Sequence, residues 1–208
     1  YSRLEEGIKE LNSQLLLRHG IRNNFKDFKR VYHDRKTELY LTFNSATQEI
    51  YQKRTIFLEN FQDDNYAIDL LKIFLKILAI DNSPFLSIIS IEYEHTRSFS
   101  YITEHGMGTL EEYSQHRSEQ YRKRQRHRSA DLNEAEFISI KMQIYKQMQE
   151  LRSLKIYHRD IHPSNIIITR DWKFKLGDFY YARMCVNELQ NKIGPYRTHE
   201  FLPQRLSK

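Results

Sequence analysis

Glycine, proline and cysteine are scarce in this chain of 208 residues, which holds six, four and one of them. A lone Cys185 cannot close an internal disulfide, which excludes the class of small secreted domains stapled by cystines. No glycine occurs between residues 21 and 105, so that whole stretch must turn without the residue that most readily takes a left-handed backbone. Internal repeats and low-complexity linkers are missing as well. The apolar stretch from Ile73 to Ile80 is broken by Lys76 and is far too short for a bilayer, so no membrane span is expected. The start carries no charged leader followed by an apolar stretch and a small-residue cleavage site, and an intracellular, cytoplasmic placement is expected, with association to the cytoskeleton also open. The chain opens on Tyr1 rather than Met, which predicts a segment of a longer product.

What is present supports a globular protein. The composition is 39% hydrophobic and 13% aromatic, enough for a real core. The formal net charge of +6 is concentrated in residues 114–129, where Arg117, Arg122, Lys123, Arg124, Arg126 and Arg128 outnumber Glu119. Such a run is a solvated loop or exposed helix face, or a surface for an acidic protein tail, a phosphoinositide or RNA. Only Tyr121 interrupts it, so the interleaved aromatics of a base-stacking platform are absent and nucleic acid is not expected.

Leu4, Ile8, Leu11, Leu15 and Leu16 recur at helical spacing, with Arg18 and Gly20 as a stop, which predicts an amphipathic helix over 3–18. It either packs on the body that follows or docks a partner. Residues 37–60 read as strands, Asp63 or Asp64 can cap a helix over 66–80, and residues 87–92 return to strand. Phe137, Ile140, Ile144, Met148 and Leu151 fall at steps of three and four, a helix stripe facing a core, with Asp131 or Asn133 as cap.

The chemistry concentrates in "YHRDIHPSNIIITRDWKFKLGDFYYARM", residues 157–184. Ile166 to Ile168 and Lys173 to Leu176 are strand-like and the corner at Arg170 and Asp171 joins them as a hairpin. A hairpin returns to its starting end, so Asn165 and Asp178 should lie side by side with Asp160 one loop away. Two carboxylates and an amide then converge, hard oxygen donors that suit Mg²⁺ beside substrate phosphates.

His158, Arg159 and Asp160, four further residues, Asn165, and then Gly177, Asp178 and Phe179 resemble the catalytic loop and metal-binding motif of eukaryotic protein kinases. "LYLTFNSATQEIYQKRTIFLEN", residues 39–60, resembles the second and third strands of a kinase N-lobe. "SYITEHGMGTLEEY", residues 100–113, resembles the hinge and the helix after it, and "GPYRTHEF", residues 194–201, the end of an activation segment. The resemblance spans roughly residues 30–203 and implies an α+β fold of two lobes, a β-rich N-lobe and a mainly helical C-lobe cut short after the activation segment. The expected division is a helical extension over 1–24, an N-lobe over 25–103 and a partial C-lobe over 104–208 with the basic insert at 114–129. A protein partner is expected to cover the incomplete C-lobe.

The resemblance also implies roles. Asp160 would orient the substrate hydroxyl, and Asn165 and Asp178 would hold magnesium against ATP. Thr103 falls at the gatekeeper position and Glu104 at the hinge carbonyl that receives adenine. Arg159 would pair with a phosphorylated activation segment, yet no Ser or Thr lies between Phe179 and Arg197. Elsewhere the pattern departs. His162 replaces the lysine that contacts the transferred phosphoryl group, Tyr180 replaces the glycine of the metal motif, and residues 32–39 stand where a glycine-rich loop would cover the phosphates. Arg54 falls at the strand lysine and Gln52 at the small residue that makes room for adenine, and the partner glutamate falls near Leu71, with Asp69 close by. A one-residue shift would offer Lys53 instead of Arg54, at the expense of the strand's alternation. Ile193 and the triplet Thr198, His199 and Glu200 alter the peptide-docking end. Two readings follow: a pseudokinase serving as an interaction or scaffold module, with ATP and Mg²⁺ weakly bound or absent, and a divergent active serine/threonine-type kinase that uses both. Small-molecule kinases share the Asp and Asn pair and form a third, more distant reading.

Overall fold

The computed structural model describes residues 2–22, 24–58, 66–80, 83–94, 98–124 and 134–184. The chain is an α+β protein of two compact units, Tyr1–His105 and Gly106–Lys208.

The first unit is a five-stranded antiparallel sheet with two helices. In chain order it runs α1 (Ser2–His19), β1 (Phe25–His33), β2 (Thr37–Asn44), β3 (Glu49–Phe57), α2 (Tyr66–Leu78), β4 (Ile88–Glu94) and β5 (Ser98–Glu104), and the strands lie in the order β1-β2-β3-β5-β4. Strand alternation divides the sheet into two faces. One carries Ile56, Phe99 and Tyr101 against α2, where the Phe74 ring lies 5.0 Å from Tyr101 and 6.4 Å from Phe99. The other carries Tyr51 and Ile102, packed with Ile89, Ile21 and Phe25.

The helix expected over 3–18 forms as α1, and it packs on β4 and α2. Ile8, Leu11 and Leu15 are buried, whereas Leu16, expected on the same stripe, is half exposed because it lies about 100° around the helix from Leu15. β4 is an edge strand, and α1 closes that edge: Asn12 Nδ2 donates to the Ile91 carbonyl at 2.6 Å while Asn12 Oδ1 accepts the Ile91 N–H at 2.9 Å. The Arg18 guanidinium donates to the carbonyls of Leu78 and Ile80, satisfying the end of α2 with a charge of the favourable sign.

β1 was not legible as a strand. Two bulges, between Asp27 and Lys29 and between Arg30 and Tyr32, break its alternation, and almost all of it is solvent-facing. The capping carboxylates Asp63 and Asp64 lie outside the described residues.

The second unit runs β6 (Gly108–Thr109), α3 (Leu110–Arg124), α4 (Glu134–Ser153), β7 (Ile156–Tyr157), β8 (Ile166–Ile168), β9 (Phe174–Leu176) and β10 (Arg183–Met184). β6, β8 and β9 form one small sheet, and β7 pairs with β10. Thr109 and Glu112 start α3 with a reciprocal cap: Thr109 Oγ1 accepts the Glu112 N–H and Glu112 Oε2 accepts the Thr109 N–H. The expected stripe of α4 holds at Ile140, Ile144 and Leu151, with Gln147 buried among them. Phe137 and Met148 are instead exposed at 53% and 45%, because the buried arc centres on Gln147 and turns away from them. The caps proposed at Asp131 and Asn133 lie outside the described residues. No helix among the described residues is long and apolar enough to cross a membrane.

Gln147 is what joins α4 to β9. Its Nε2 donates to the Phe174 carbonyl at 2.6 Å and its Oε1 accepts the Leu176 N–H at 2.7 Å, both in a buried setting. Gln147→Leu keeps the volume and strands two buried backbone groups, so a loss of about 3 kcal/mol in urea unfolding is expected; a loss below about 1 kcal/mol would show the contact to be dispensable. Gly106 is fixed by packing alone, since a Cβ there would stand 2.3 Å from Ile167 Cγ2 and 2.6 Å from the Ile168 carbonyl oxygen. Gly106→Ala should lower the unfolding midpoint by the equivalent of about 2 kcal/mol, the usual penalty of overpacking.

Candidate active site

The site in the second unit is built outward from the β8–β9 hairpin. Ile166 pairs with Leu176, and the ladder continues one step as the Gly177 N–H donates to the Asn165 carbonyl at 2.9 Å. That register brings Asn165 level with Gly177, the residue before Asp178. Asn165 Nδ2 donates to the Asp160 carbonyl at 2.9 Å and to Asp160 Oδ2 at 2.8 Å, and both side chains are buried. His162 Nε2 stands 3.4 Å from the same Asp160 Oδ2. Pro163 opens a 3₁₀ turn over Pro163–Asn165, and the Ser164 hydroxyl donates to Glu111 of α3.

The metal motif takes a particular backbone. Asp178 adopts φ 53°, and its Oδ1 accepts the Tyr180 N–H at 3.3 Å, capping a 3₁₀ turn over Phe179–Tyr181. The left-handed residue is therefore Asp178, for which that region is accessible. Tyr180 sits inside the turn at ordinary φ, buried, with its ring 4.7 Å from Tyr181. The residue at the glycine position thus keeps ordinary φ, and the left-handed conformation falls on Asp178.

These donors fit a hard cation. Asn165 uses its N–H group on Asp160, which leaves amide oxygen and two carboxylates as oxygen donors, the set that Mg²⁺ takes when phosphates complete its shell. Among the described residues no group of three or more His, Cys, Asp or Glu could hold a metal by itself. A magnesium bound there would neutralise phosphate charge, while Asp160 would accept or orient a hydroxyl proton.

In the first unit, strand register decides between Arg54 and Lys53. Gln52 lies opposite Thr103 and Arg54 opposite Tyr101, on the face that packs α2, and an Arg54 amino group lies 3.5 Å from Thr37 Oγ1. Lys53 points to the other face, 2.7 Å from Glu92 and 3.5 Å from Asp27. Register thus sets Arg54, and not Lys53, on the face that packs α2. Thr103 is buried, and Glu104 ties to Ser87, whose carbonyl accepts the Glu104 N–H at 3.0 Å and whose N–H donates to Glu104 Oε1 at 2.8 Å. Leu71 is buried and Asp69 is turned to Lys72 at 3.1 Å, so α2 brings no carboxylate inward at either position.

Sequence reading missed Asp34. Its Oδ1 accepts the N–H groups of Lys36 and Thr37 at 2.7 and 2.8 Å, and its Oδ2 accepts the Tyr32 hydroxyl at 2.7 Å, closing the turn between β1 and β2. The spacing D-x-K-T carried the signal, since Asp commonly bonds the amide two residues on. Gln147 was likewise missed, though a glutamine inside an apolar stripe is itself a flag for a buried acceptor and donor. Arg117 of the basic run pairs with Glu136 and lies over the Tyr113 ring at 5.7 Å. The side chains of 120–124, and residues 125–129, Ile193, Tyr196, Arg197, Thr198, His199 and Glu200, lie outside what is described.

With this geometry in hand, the comparisons agree. The family model described as "Protein kinase domain" matches residues 75–204, more than half of the chain, and the chain belongs to that family. It is similar to a "Probable serine/threonine-protein kinase" of Dictyostelium discoideum, 35% identical over 63 residues, or 30% of this chain and 4% of that protein. It is also similar to a "Putative mitogen-activated protein kinase 14C" of Drosophila melanogaster, 28% identical over 67 residues, or 32% of this chain and 19% of that protein. The aligned stretches are thus a small part of either relative's length.

His158 yields a pH test. Its Nε2 lies 2.8 Å from the Gly177 carbonyl and its ring 4.9 Å from Phe179. Burial lowers its pKa, outweighing the Gly177 carbonyl and the carboxylates of Asp178 and Asp160 that pull upward. Burial, with Arg18 nearby, lowers that of His19 as well. The unfolded chain takes up protons below about pH 6.5 where the fold resists them, so stability is full above that value and is lost as pH falls below it. Urea midpoints should drop steadily from pH 7.5 to 5, and His158→Phe should flatten that slope while lowering the midpoint at pH 7.5; an unchanged slope would remove His158 from the account.

Proposed function

We propose that this kinase domain serves as an interaction or scaffold module in which phosphotransfer is impaired, a pseudokinase. The observation that carries the reading is the Asp34 turn. Where the family lays loop amides on nucleotide phosphates, the amides of Lys36 and Thr37 are already taken by a carboxylate, which also opposes phosphate by its charge. Arg54 in place of a lysine, Gln52 beside Thr103 and the apolar Leu71 weaken the same grip. Phosphoryl transfer depends on positioning and charge neutralisation, and each missing contact removes a few kcal/mol of it. The partner would be a protein, and the outer face of α4 favours this, with Phe137, Ile138, Met142 and Tyr145 exposed along one side.

The alternative, an active serine/threonine-type kinase using ATP and Mg²⁺, draws on the intact hydrogen bonds between Asn165 and Asp160. Calorimetric titration with MgATP separates the two. The scaffold reading expects binding no tighter than about millimolar, and a gain of roughly ten-fold in the double variant Asp34→Gly with Arg54→Lys, which frees two amides and restores a point charge. Micromolar binding by the unaltered chain, with autophosphorylation that disappears in Asp160→Ala, would establish the enzyme instead.

A further inference from the structure

The open edge of the first unit is β1. One side of it pairs with β2, and its other side borders no strand, since the sheet runs β1-β2-β3-β5-β4. The opposite edge, β4, is sealed by α1 through Asn12. Every residue from Lys26 to His33 is exposed. Phe28, Val31 and Tyr32 keep about half of their surface in solvent, at 54%, 53% and 48%.

The register with β2 shows how these side chains come to lie outside. Phe28 and Val31 are the two residues of β1 without an opposite number on β2, one in each bulge. Lys26, Lys29 and Tyr32 lie opposite Phe43, Leu41 and Leu39 and so share one face. Bulges and lysines are the usual devices that keep an edge strand from pairing with another strand. They disfavour strand addition here, but that purpose calls for no exposed phenylalanine or valine.

Charge completes the pattern. From residue 25 to residue 37 five cations, Lys26, Lys29, Arg30, Arg35 and Lys36, stand against Asp27 and Asp34. Both carboxylates are engaged, Asp27 with Lys53 at 3.5 Å and Asp34 with the turn amides. Glu38, across on β2, is shared by Arg30 and His33. Among the described residues the ammonium groups of Lys26, Lys29 and Lys36 meet no carboxylate.

We propose that β1 and the turn after it dock on the surface of an anionic lipid bilayer. Lys26, Lys29 and Lys36 meet acidic headgroups, each cation strengthening attachment roughly five-fold where salt is low. Phe28, Val31 and Tyr32 enter the boundary between headgroups and acyl chains, where apolar and aromatic side chains interleaved with cations are most favoured. The strand stays at headgroup depth, because the outward N–H and C=O groups of a sheet edge need water or headgroup oxygens. A lipid surface requires no ladder, so bulges that hinder a partner strand do not hinder it. The inference stands whether or not the chain transfers phosphate.

Co-sedimentation of the whole chain with vesicles tests it. Vesicles of phosphatidylserine and phosphatidylcholine in equal parts should carry the chain down, and phosphatidylcholine alone should not. Lys26→Glu with Lys29→Glu should weaken binding by about 25-fold or more, roughly five-fold for each cation removed. Lys9→Glu with Lys146→Glu makes the same change in net charge at exposed positions of α1 and α4, and should stay within about three-fold because salt screens distant charges. Circular dichroism and the unfolding midpoint of both variants should match the unaltered chain. Phe28→Trp in a Trp172→Phe background leaves a single tryptophan on β1, whose emission should move to the blue with the anionic vesicles. No sedimentation with the anionic vesicles, equal binding to both kinds, equal weakening by the two lysine pairs, or unshifted emission from residue 28 would overturn the proposal. So would binding that survives the β1 changes and disappears on neutralising Arg122, Lys123, Arg124, Arg126 and Arg128, which would assign the membrane contact to the basic run. Saturable binding of a peptide of alternating glutamate and valine, without binding to vesicles, would make the edge a site for an acidic strand instead.

Discussion

The side-chain amide of Gln147 fixes the hairpin strand that leads into the candidate site. A strand at the edge of a three-stranded sheet leaves one row of N–H and C=O groups without a neighbouring strand, and at β9 that row is buried. A primary amide is the one neutral side-chain group that can give and take a hydrogen bond at the spacing of a strand residue. With Phase and height of β9 fixed by α4, Gly177 reaches the Asn165 carbonyl, and Asp178 follows at the end of a rail that cannot slide. The first unit solves the same problem with Asn12 on Ile91. In both units a helix seals a sheet by imitating the missing strand.

Much of this was readable from residue order, and the failures have physical causes. The pairing of β8 with β9 follows from apolar runs around a polar corner, because side chains in a strand repeat every two residues and a hairpin must return. α2 was equally plain, since its apolar residues answer to a single helical period; it closes at Leu78 rather than Ile80, where Arg18 takes the last carbonyls. β1 was hidden because each bulge shifts the alternation by one residue, so the periodic signal cancels over nine positions. On α4 the apolar spacing was right, but a buried glutamine moved the centre of the inward arc, and no hydropathy pattern registers a polar group buried for its hydrogen bonds.

The site was legible as a set of residue types and only partly as electrostatics. Asn165 bonds Asp160, and strand register sets Asn165 level with Gly177, the residue before Asp178; register is what sequence encodes well. Asp34 belongs to another category: a turn closed by a carboxylate looks in sequence like any polar corner, and only its hydrogen bonds reveal that the loop amides are occupied. The same holds for the turn at the metal motif, where Asp178 is left-handed and Tyr180 keeps ordinary φ.

The arrangement on β3 has a chemical corollary. Burial lowers the affinity of the Lys53 amine for its proton, but Glu92 and Asp27 more than reverse that effect, and the pKa is raised. An ammonium clasped by two carboxylates is a poor nucleophile, and the guanidinium next to it does not acylate under ordinary conditions. Acylating reagents would therefore leave both cations of β3 unmodified while the clasp of Glu92 and Asp27 on Lys53 holds.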